Sequence, residues 1–409
     1  MPLRPLGRGG QSSLPRPVLL GLLLFVSFGT GLLISIVGPT VPALASRLRV
    51  REDALGVVFG ANFLLASATT ALAGRVFDRL GPRALLPAGL IAMALGSLGE
   101  GVAPSLPLLT LAAGLGGLGI GAINVTGNAT ASLLYPERRE GVLNALNASF
   151  GAGAFLAPLL AGLALARLGG YRPAYAAVAF LLAVPVAPLL FGLPDHTKNR
   201  GDGDDDGARG TGIVALLARR ALWPPLAIGF LYLGAEIGFG GWIVTILRRA
   251  TGLSAGDAAP AAAVFWLFLA LGALPTAYLL RHGVASARIV GVSALLAALA
   301  TAALGLAGAV TPLALAACAL VGLFFAPIFP LTIAMAGRAA GTAAGGVGSA
   351  TALVLVAAQI GGATLPPLQG LLLGAGPGAA LAVTGVCSLL ILTVQGVTSS
   401  RSPGFAGDG

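Results

Sequence analysis

Apolar and polar residues do not alternate along this chain. They segregate into long apolar stretches joined by short polar connections, from residue 18 to residue 397. The first stretch, 18–45, holds no charged residue. A bilayer core about 30 Å thick needs roughly 20 apolar residues in helical form to cross it. The pattern predicts twelve such helices, near 18–45, 54–76, 84–103, 107–134, 142–167, 174–193, 222–247, 258–280, 288–308, 312–336, 346–371 and 377–397. The expected fold class is therefore all-α, a polytopic membrane protein.

Composition closes the soluble alternative. The hydrophobic fraction is 56%, charged residues make up 9% and the mean hydropathy is +0.93, against roughly 25% charged residues in soluble domains. A net charge of +10 would suggest nucleic acid in a soluble protein. Here the cations sit in loops, and they sit unevenly. With both termini inside, the cytoplasmic side receives Arg4, Arg8, Arg16, Arg75, Arg79, Arg83, Arg138, Arg139, Lys198, Arg200, Arg209, Arg219, Arg220, Arg281, Arg288, Arg338 and Arg401, 17 in all. The other side receives Arg47, Arg49, Arg51, Arg167, Arg172, Arg248 and Arg249, which is 7. An excess of cations in cytoplasmic loops sets orientation in the membrane. The expectation is a multi-pass protein of the plasma (inner) membrane of a prokaryote with cytoplasmic termini, lipid around it and no nucleic-acid partner. The N-terminal apolar run exceeds the 7–15 residues of a signal h-region and reads as an uncleaved first helix.

One long polar connection interrupts the pattern, between the sixth and seventh spans. It divides the chain into residues 1–193, a cytoplasmic linker 194–220 and residues 221–409. Asp204, Asp205 and Asp206 lie in its glycine-rich centre and read as a solvated flexible linker rather than a metal site. Residues 213–220 have the pattern of a short interfacial helix.

The two halves repeat. Pro17 and Gly21 open the first as Pro225 and Gly229 open the second; Asp53 precedes the second span as Asp257 precedes the eighth. Arg79-Leu80-Gly81 corresponds to Arg281-His282-Gly283, and Gly153, Pro158 and Gly162 recur as Gly361, Pro366 and Gly370. Parallel six-helix repeats are the sequence mark of transporters whose site lies between the halves.

The loop after the second span reads Gly74-Arg75-Val76-Phe77-Asp78-Arg79-Leu80-Gly81-Pro82-Arg83. It resembles the major facilitator superfamily signature, Gly-x-x-x-Asp-(Arg/Lys)-x-Gly-x-(Arg/Lys), at every defined position and in the expected place. The resemblance covers essentially the whole chain. It implies two six-helix bundles that rock about a central site, and a cytoplasmic conformational latch carried by Gly74, Asp78, Arg79, Gly81 and Arg83. The second copy has Leu280 where the acid stands. The segment from Leu231 to Trp242 looks like the seventh helix of the fucose–proton symporter and glucose-transporter-like branches. The family's coupling acids lie in the first and fourth helices, where this chain has Phe28 and Asn124.

Intramembrane chemistry narrows to few residues. Glu236 is the one carboxylate expected at mid-depth; a charge there costs about 2.5–3.5 kcal/mol on insertion scales and so faces a cavity or a partner. It is the candidate for carrying a coupling proton, H+, or binding substrate, or else a structural hydrogen-bonding group. Glu100 falls near the end of the third span, where it would reach the interface. Tyr232 precedes Glu236 by one helical turn and shares its face, and Trp242 follows. Aromatic faces beside amides and a carboxylate suit a hydroxylated ligand, although Trp and Tyr also form interfacial belts; Trp223 fits the belt. Asn124 with Asn128, and Asn144 with Asn147, fall in pairs on single helical faces and either bind substrate or bond neighbouring helices. Gln359 and Asn62 are further candidates of the same kind.

Other matches dissolve on inspection. Asn124, Asn128 and Asn147 open glycosylation sequons inside spans. Residues 114–119 satisfy a dinucleotide fingerprint without the strand it needs; helix packing through Gly117 and Gly121 accounts for them better. Cys318 and Cys387 read as small core residues. Both histidines, His196 and His282, lie in loops, so neither a metal site nor a cofactor is expected. There is no catalytic constellation and no phosphate-binding loop.

The expected function is a monomeric secondary transporter, not an enzyme, moving a small polar, sugar-like solute by alternating access. Two rivals stand beside it. One is a proton-antiport drug or metabolite exporter, since Gly153, Pro158 and Gly162 partly resemble the antiporter signature, with Ala157 and Ala161 where glycines are expected. The other is a membrane-embedded sensor on a transporter scaffold.

Overall fold

The structure, a computed structural model, describes residues 14–193, 218–307, 310–340 and 346–400. The greater part of the linker, including Asp204, Asp205, Asp206, Lys198, Arg200, Arg209 and His196, lies outside the described residues, as do Arg4, Arg8 and Arg401. Among the described residues there is no strand. Twelve helices are long and apolar enough to cross a membrane: α1 (Arg16–Leu48), α2 (Glu52–Gly74), α3 (Arg79–Val102), α4 (Leu106–Leu134), α5 (Gly141–Arg167), α6 (Arg172–Gly192), α7 (Arg220–Thr251), α8 (Ala255–Arg281), α9 (Ser286–Leu306), α10 (Thr311–Ala340), α11 (Gly348–Ala375) and α12 (Pro377–Val397). Each coincides with an expected span. In hydrocarbon a helix satisfies every backbone N–H and C=O within itself, so an apolar stretch of this length has one stable form.

Proline and glycine set the ends and the breaks. Proline occupies the first turn of α1, α4, α6, α7 and α10, where its missing N–H costs no hydrogen bond. The left-handed Gly252, φ 76°, ends α7. Three helices are interrupted inside the membrane, α6 at 184–185, α8 at Gly272 and α10 at 326–327. Each break lies about one turn before a proline, Pro188, Pro275 and Pro330 respectively, whose ring clashes with the carbonyl four residues earlier and offers it no donor. Apolarity alone gives no hint of these breaks.

The chain forms two compact units, residues 1–209 with 255–263, and residues 210–254 with 264–409. The start of α8 thus groups with the first unit. Each unit is packed through small residues. In the first, a Cβ at Gly153 on α5 would collide with the Phe28 carbonyl of α1. A Cβ at Gly117 or Gly121 on α4 would collide with the backbone oxygen of Asn62 or Ala66 on α2. In the second unit, Gly361 on α11 meets the Phe230 carbonyl of α7 in the way Gly153 meets Phe28. Gly81 and Gly283, at matching turns, both have positive φ, 70° and 76°. The internal repeat is therefore one of backbone geometry as well as of sequence.

Candidate functional site

In the second unit α7 is the centre: buried residues run along it almost unbroken from Gly234 to Leu247. Its glycines allow the approach, since Gly234 sits against Gly361 and Leu365 of α11, and Gly240 against the Trp266 ring of α8. Glu236 is buried on this helix. Tyr232, one turn earlier and also buried, interacts electrostatically with it. The tyrosine ring stacks on Phe329 of α10 with centroids 5.5 Å apart and tilts against Phe325 at 5.6 Å. Phe325 in turn meets Phe265, which packs against Phe239 and Trp266. The carboxylate thus stands beside a wall of aromatic rings from α7, α8 and α10. Such a wall offers faces to C–H groups while the carboxylate and the tyrosine hydroxyl offer polar contacts.

Trp242 lies in the same helix and is fully buried, and its indole N–H donates to the Pro366 carbonyl at 2.8 Å. The ring also covers Gly370, where a Cβ would meet it. Its single donor is therefore spent within the unit. Trp223 is 59% exposed near the start of α7, as the interfacial belt requires. Gln359 is buried on α11. Sequence reasoning missed two polar groups in this unit. Gln369 of α11 is fully buried, with Nε2 toward Thr384 Oγ1 at 3.4 Å and Oε1 facing Gly238 of α7. The Trp266 indole N–H is buried and has no hydrogen-bond partner. Nothing in a single sequence separates these two from the other amides and tryptophans of the apolar helices, because which of their polar atoms are buried without partners depends on the neighbouring helices.

In the first unit Asn62 is half-buried and donates from Nδ2 to the Ala113 carbonyl of α4 at 3.0 Å. Asn124 is half-buried, whereas Asn128, Asn144 and Asn147 are exposed on the surface of the unit. Glu100 departs from expectation. It is 1% exposed rather than interfacial, because α6 and α1 close over the end of α3. Tyr175 fills the space there: its Cβ lies where a side chain at Gly101 would go, and its carbonyl accepts from Ser97 Oγ at 2.9 Å.

At the turn between α2 and α3, Gly81 adopts φ 70° and ψ 175°, a combination that only glycine tolerates. Arg83 donates from Nε to the Leu190 carbonyl of α6 at 2.8 Å. Gly74 and Arg79 are exposed; the Asp78 side chain lies outside the described residues. Among the described residues no group of histidine, cysteine and carboxylate side chains is arranged to hold a metal. Cys318 and Cys387 are free and buried. A cavity of about 300 Å³ lies between α8, α9 and α10, with Arg288 in its lining, but it contains none of the candidate site residues.

Comparison with known proteins places this architecture. The chain is 26% identical over 274 residues to sodium-dependent glucose transporter 1A of Mus musculus, covering 58% of this chain and 63% of that protein. It is 31% identical over 137 residues to sodium-dependent glucose transporter 1 of Homo sapiens, 34% of this chain and 26% of the relative. It is also 33% identical over 120 residues to multidrug resistance protein Stp of Mycobacterium tuberculosis, 29% of this chain and 22% of that protein. The chain thus spans less than two thirds of each of these relatives. The model of the Major Facilitator Superfamily matches residues 23–366. With twelve candidate spans and a family match over most of its length, the chain belongs to the Major Facilitator Superfamily.

Proposed function

We propose that the protein is a secondary transporter that moves a small polar, sugar-like solute by alternating access, with a coupling cation. The observation that carries this reading is the buried Glu236 carboxylate on α7, set beside Tyr232 and the aromatic wall of Phe325 and Phe329. A carboxylate is retained at such depth, against its insertion cost, where it meets a ligand or an ion. Stacking rings with a nearby acceptor suit the apolar face and the hydroxyls of a sugar. The similarity to sodium-dependent glucose transporters supports the same reading. In this reading Glu236 and Tyr232 contact the solute, while Trp242 packs α7 against Pro366 and Gly370 of α11. Asn62, Asn124, Asn128, Asn144, Asn147 and Gln359 are candidate polar contacts, and Gly74, Asp78, Arg79, Gly81 and Arg83 are the latch. On this proposal the protein is a monomer in the plasma membrane with cytoplasmic termini, the orientation favoured by the excess of cations in the expected cytoplasmic loops.

The test is uptake of radiolabelled hexoses into proteoliposomes under an imposed proton or sodium gradient. Wild-type protein accumulates the solute, and Glu236→Gln loses accumulation while keeping its expression and melting temperature. Accumulation by Glu236→Gln at the wild-type level would overturn the assignment. The match to multidrug resistance protein Stp supports a second reading, export. Efflux of lipophilic cations with no hexose uptake would replace the first reading with that one.

A further inference from the structure

Glu100 lies in the first unit, whereas Glu236 and Tyr232 lie in the second. It is 1% exposed, and neither carboxylate oxygen has a hydrogen-bond partner. An ionised carboxylate taken out of water without donors carries a large desolvation cost, removed only when a proton or a cation neutralises it. The titratable and charged groups around it are few. Helix α4 carries none, α2 opens with Glu52 and with Asp53, which pairs with Arg51 at 2.6 Å, α1 brings Arg47, and the start of α6 brings Tyr171, Arg172 and Tyr175. Arg47 is committed elsewhere, donating to the Tyr171 hydroxyl at 2.9 Å and to the Gly101 carbonyl at 3.3 Å.

Tyr175 interacts electrostatically with Glu100 and shares a hydrogen bond with Thr40. Thr40 Oγ1 lies 2.9 Å from the Val37 carbonyl, 3.1 Å from the Ile36 carbonyl and 2.9 Å from the Tyr175 hydroxyl. Each hydroxyl has one hydrogen, and carbonyls only accept, so the pair has two arrangements. With the threonine hydrogen on its own helix, Tyr175 donates to Thr40 and its oxygen offers lone pairs to a protonated Glu100 or to a cation beside it. With the threonine hydrogen on the tyrosine oxygen, Tyr175 is free to donate to the ionised carboxylate. The same hydroxyl pair therefore serves Glu100 with and without its proton.

Asn62 lies close to the carboxylate. A Cβ built on Gly116 would be in ordinary contact with both, 3.9 Å from Glu100 Oε1 and 3.6 Å from Asn62 Nδ2. Asn62 Oδ1 is itself buried without a partner, and a cavity of about 10 Å³, one water-sized volume, adjoins Asn62 between Leu33, Val37 and Ala113, without reaching Glu100.

We propose that Glu100, with Asn62 and the Tyr175 hydroxyl, forms an exchange site for a single monovalent cation, H+ or Na+, in the first unit. It rests on the reading of the chain as a cation-coupled transporter, and it places the coupling ion apart from Glu236.

Infrared difference spectroscopy of the lipid-reconstituted protein tests this without any solute. Acid-to-alkaline exchange in sodium-free buffer should remove a carboxylic C=O band in wild type and in Glu236→Gln, and Glu100→Gln should lack that band. Sodium added at constant pH separates the sources: loss of the band assigns a site that Na+ also occupies, and persistence assigns a proton site. Tyr175→Phe leaves Glu100 in place and should shift the band by removing the neighbouring hydroxyl, so the test survives if Glu100→Gln does not fold. A Glu100→Gln spectrum identical to wild type would overturn the proposal, as would an unshifted band in Tyr175→Phe. Because no solute enters the measurement, a failure to transport hexoses leaves the result standing.

Discussion

Trp242 shows how a residue type that suggests sugar binding is redirected by what it touches. Its ring is fully buried over Gly370 and its N–H is held by the Pro366 carbonyl. Removing that donor leaves a buried carbonyl with one bond fewer, at about 0.5–1.5 kcal/mol, and shrinking the ring adds a packing loss. Trp242→Phe should therefore lower the melting temperature of the detergent-solubilised protein, whereas Trp223→Phe, at a 59% exposed position, should leave it near wild type. Equal melting of the two variants would count against the packing role. Glu236 and Glu100 carry the complementary lesson. The depth of Glu236 was legible, because its distance from both ends of an apolar run is a property of the sequence. The burial of Glu100 was not, because it depends on Tyr175 and Thr40, residues 75 and 60 positions away in the chain, closing over a helix end.

At the scale of elements, all twelve spans were legible because bilayer thickness and backbone hydrogen bonding leave an apolar stretch little choice. The breaks in α6, α8 and α10 were not, since a proline in a membrane helix kinks it in some contexts and is absorbed in others. Pro39 and Pro42 lie inside an unbroken α1. Small-residue packing was legible in outline, from Gly117 with Gly121 and from the pairing of Gly153 with Gly361. What only the structure supplies is the identity of the opposing atoms, the backbone oxygens of Asn62, Phe28 and Phe230. Backbone is a hard neighbour, so Gly153→Ala and Gly361→Ala should each destabilise by about 1–3 kcal/mol, the range for overpacking. Gly21→Ala and Gly127→Ala, with nothing within 4 Å of the added methyl, should be neutral or stabilising. Thermal melts of the four variants measure this, and tolerance of alanine at 153 and 361 equal to that at 21 and 127 would show that the helices separate freely there.

For the molecule as a whole, the twelve helices fix that the ends of successive spans alternate between the two sides of the membrane, but not which side is which. The sign comes from charge, 17 cations against 7, acting through the cost of carrying cationic loops across the bilayer during insertion. The expected inside includes the turn after α8, which contains Ala285; the expected outside includes the turn after α5, which contains Leu168. Both positions are exposed. The two native cysteines are buried, at 0% and 3% exposure, so they give little background to a thiol probe. In intact cells, Leu168→Cys should then react with a membrane-impermeant maleimide, and Ala285→Cys only after the membrane is permeabilised. The reverse pattern would invert the orientation. It would also put the turn of Gly81 and Arg83 on the outer face, where it could not act as a cytoplasmic latch. Because Glu100 sits near the end of α3 remote from that turn, the expected orientation puts it toward the outer end of its helix, buried rather than open to solvent.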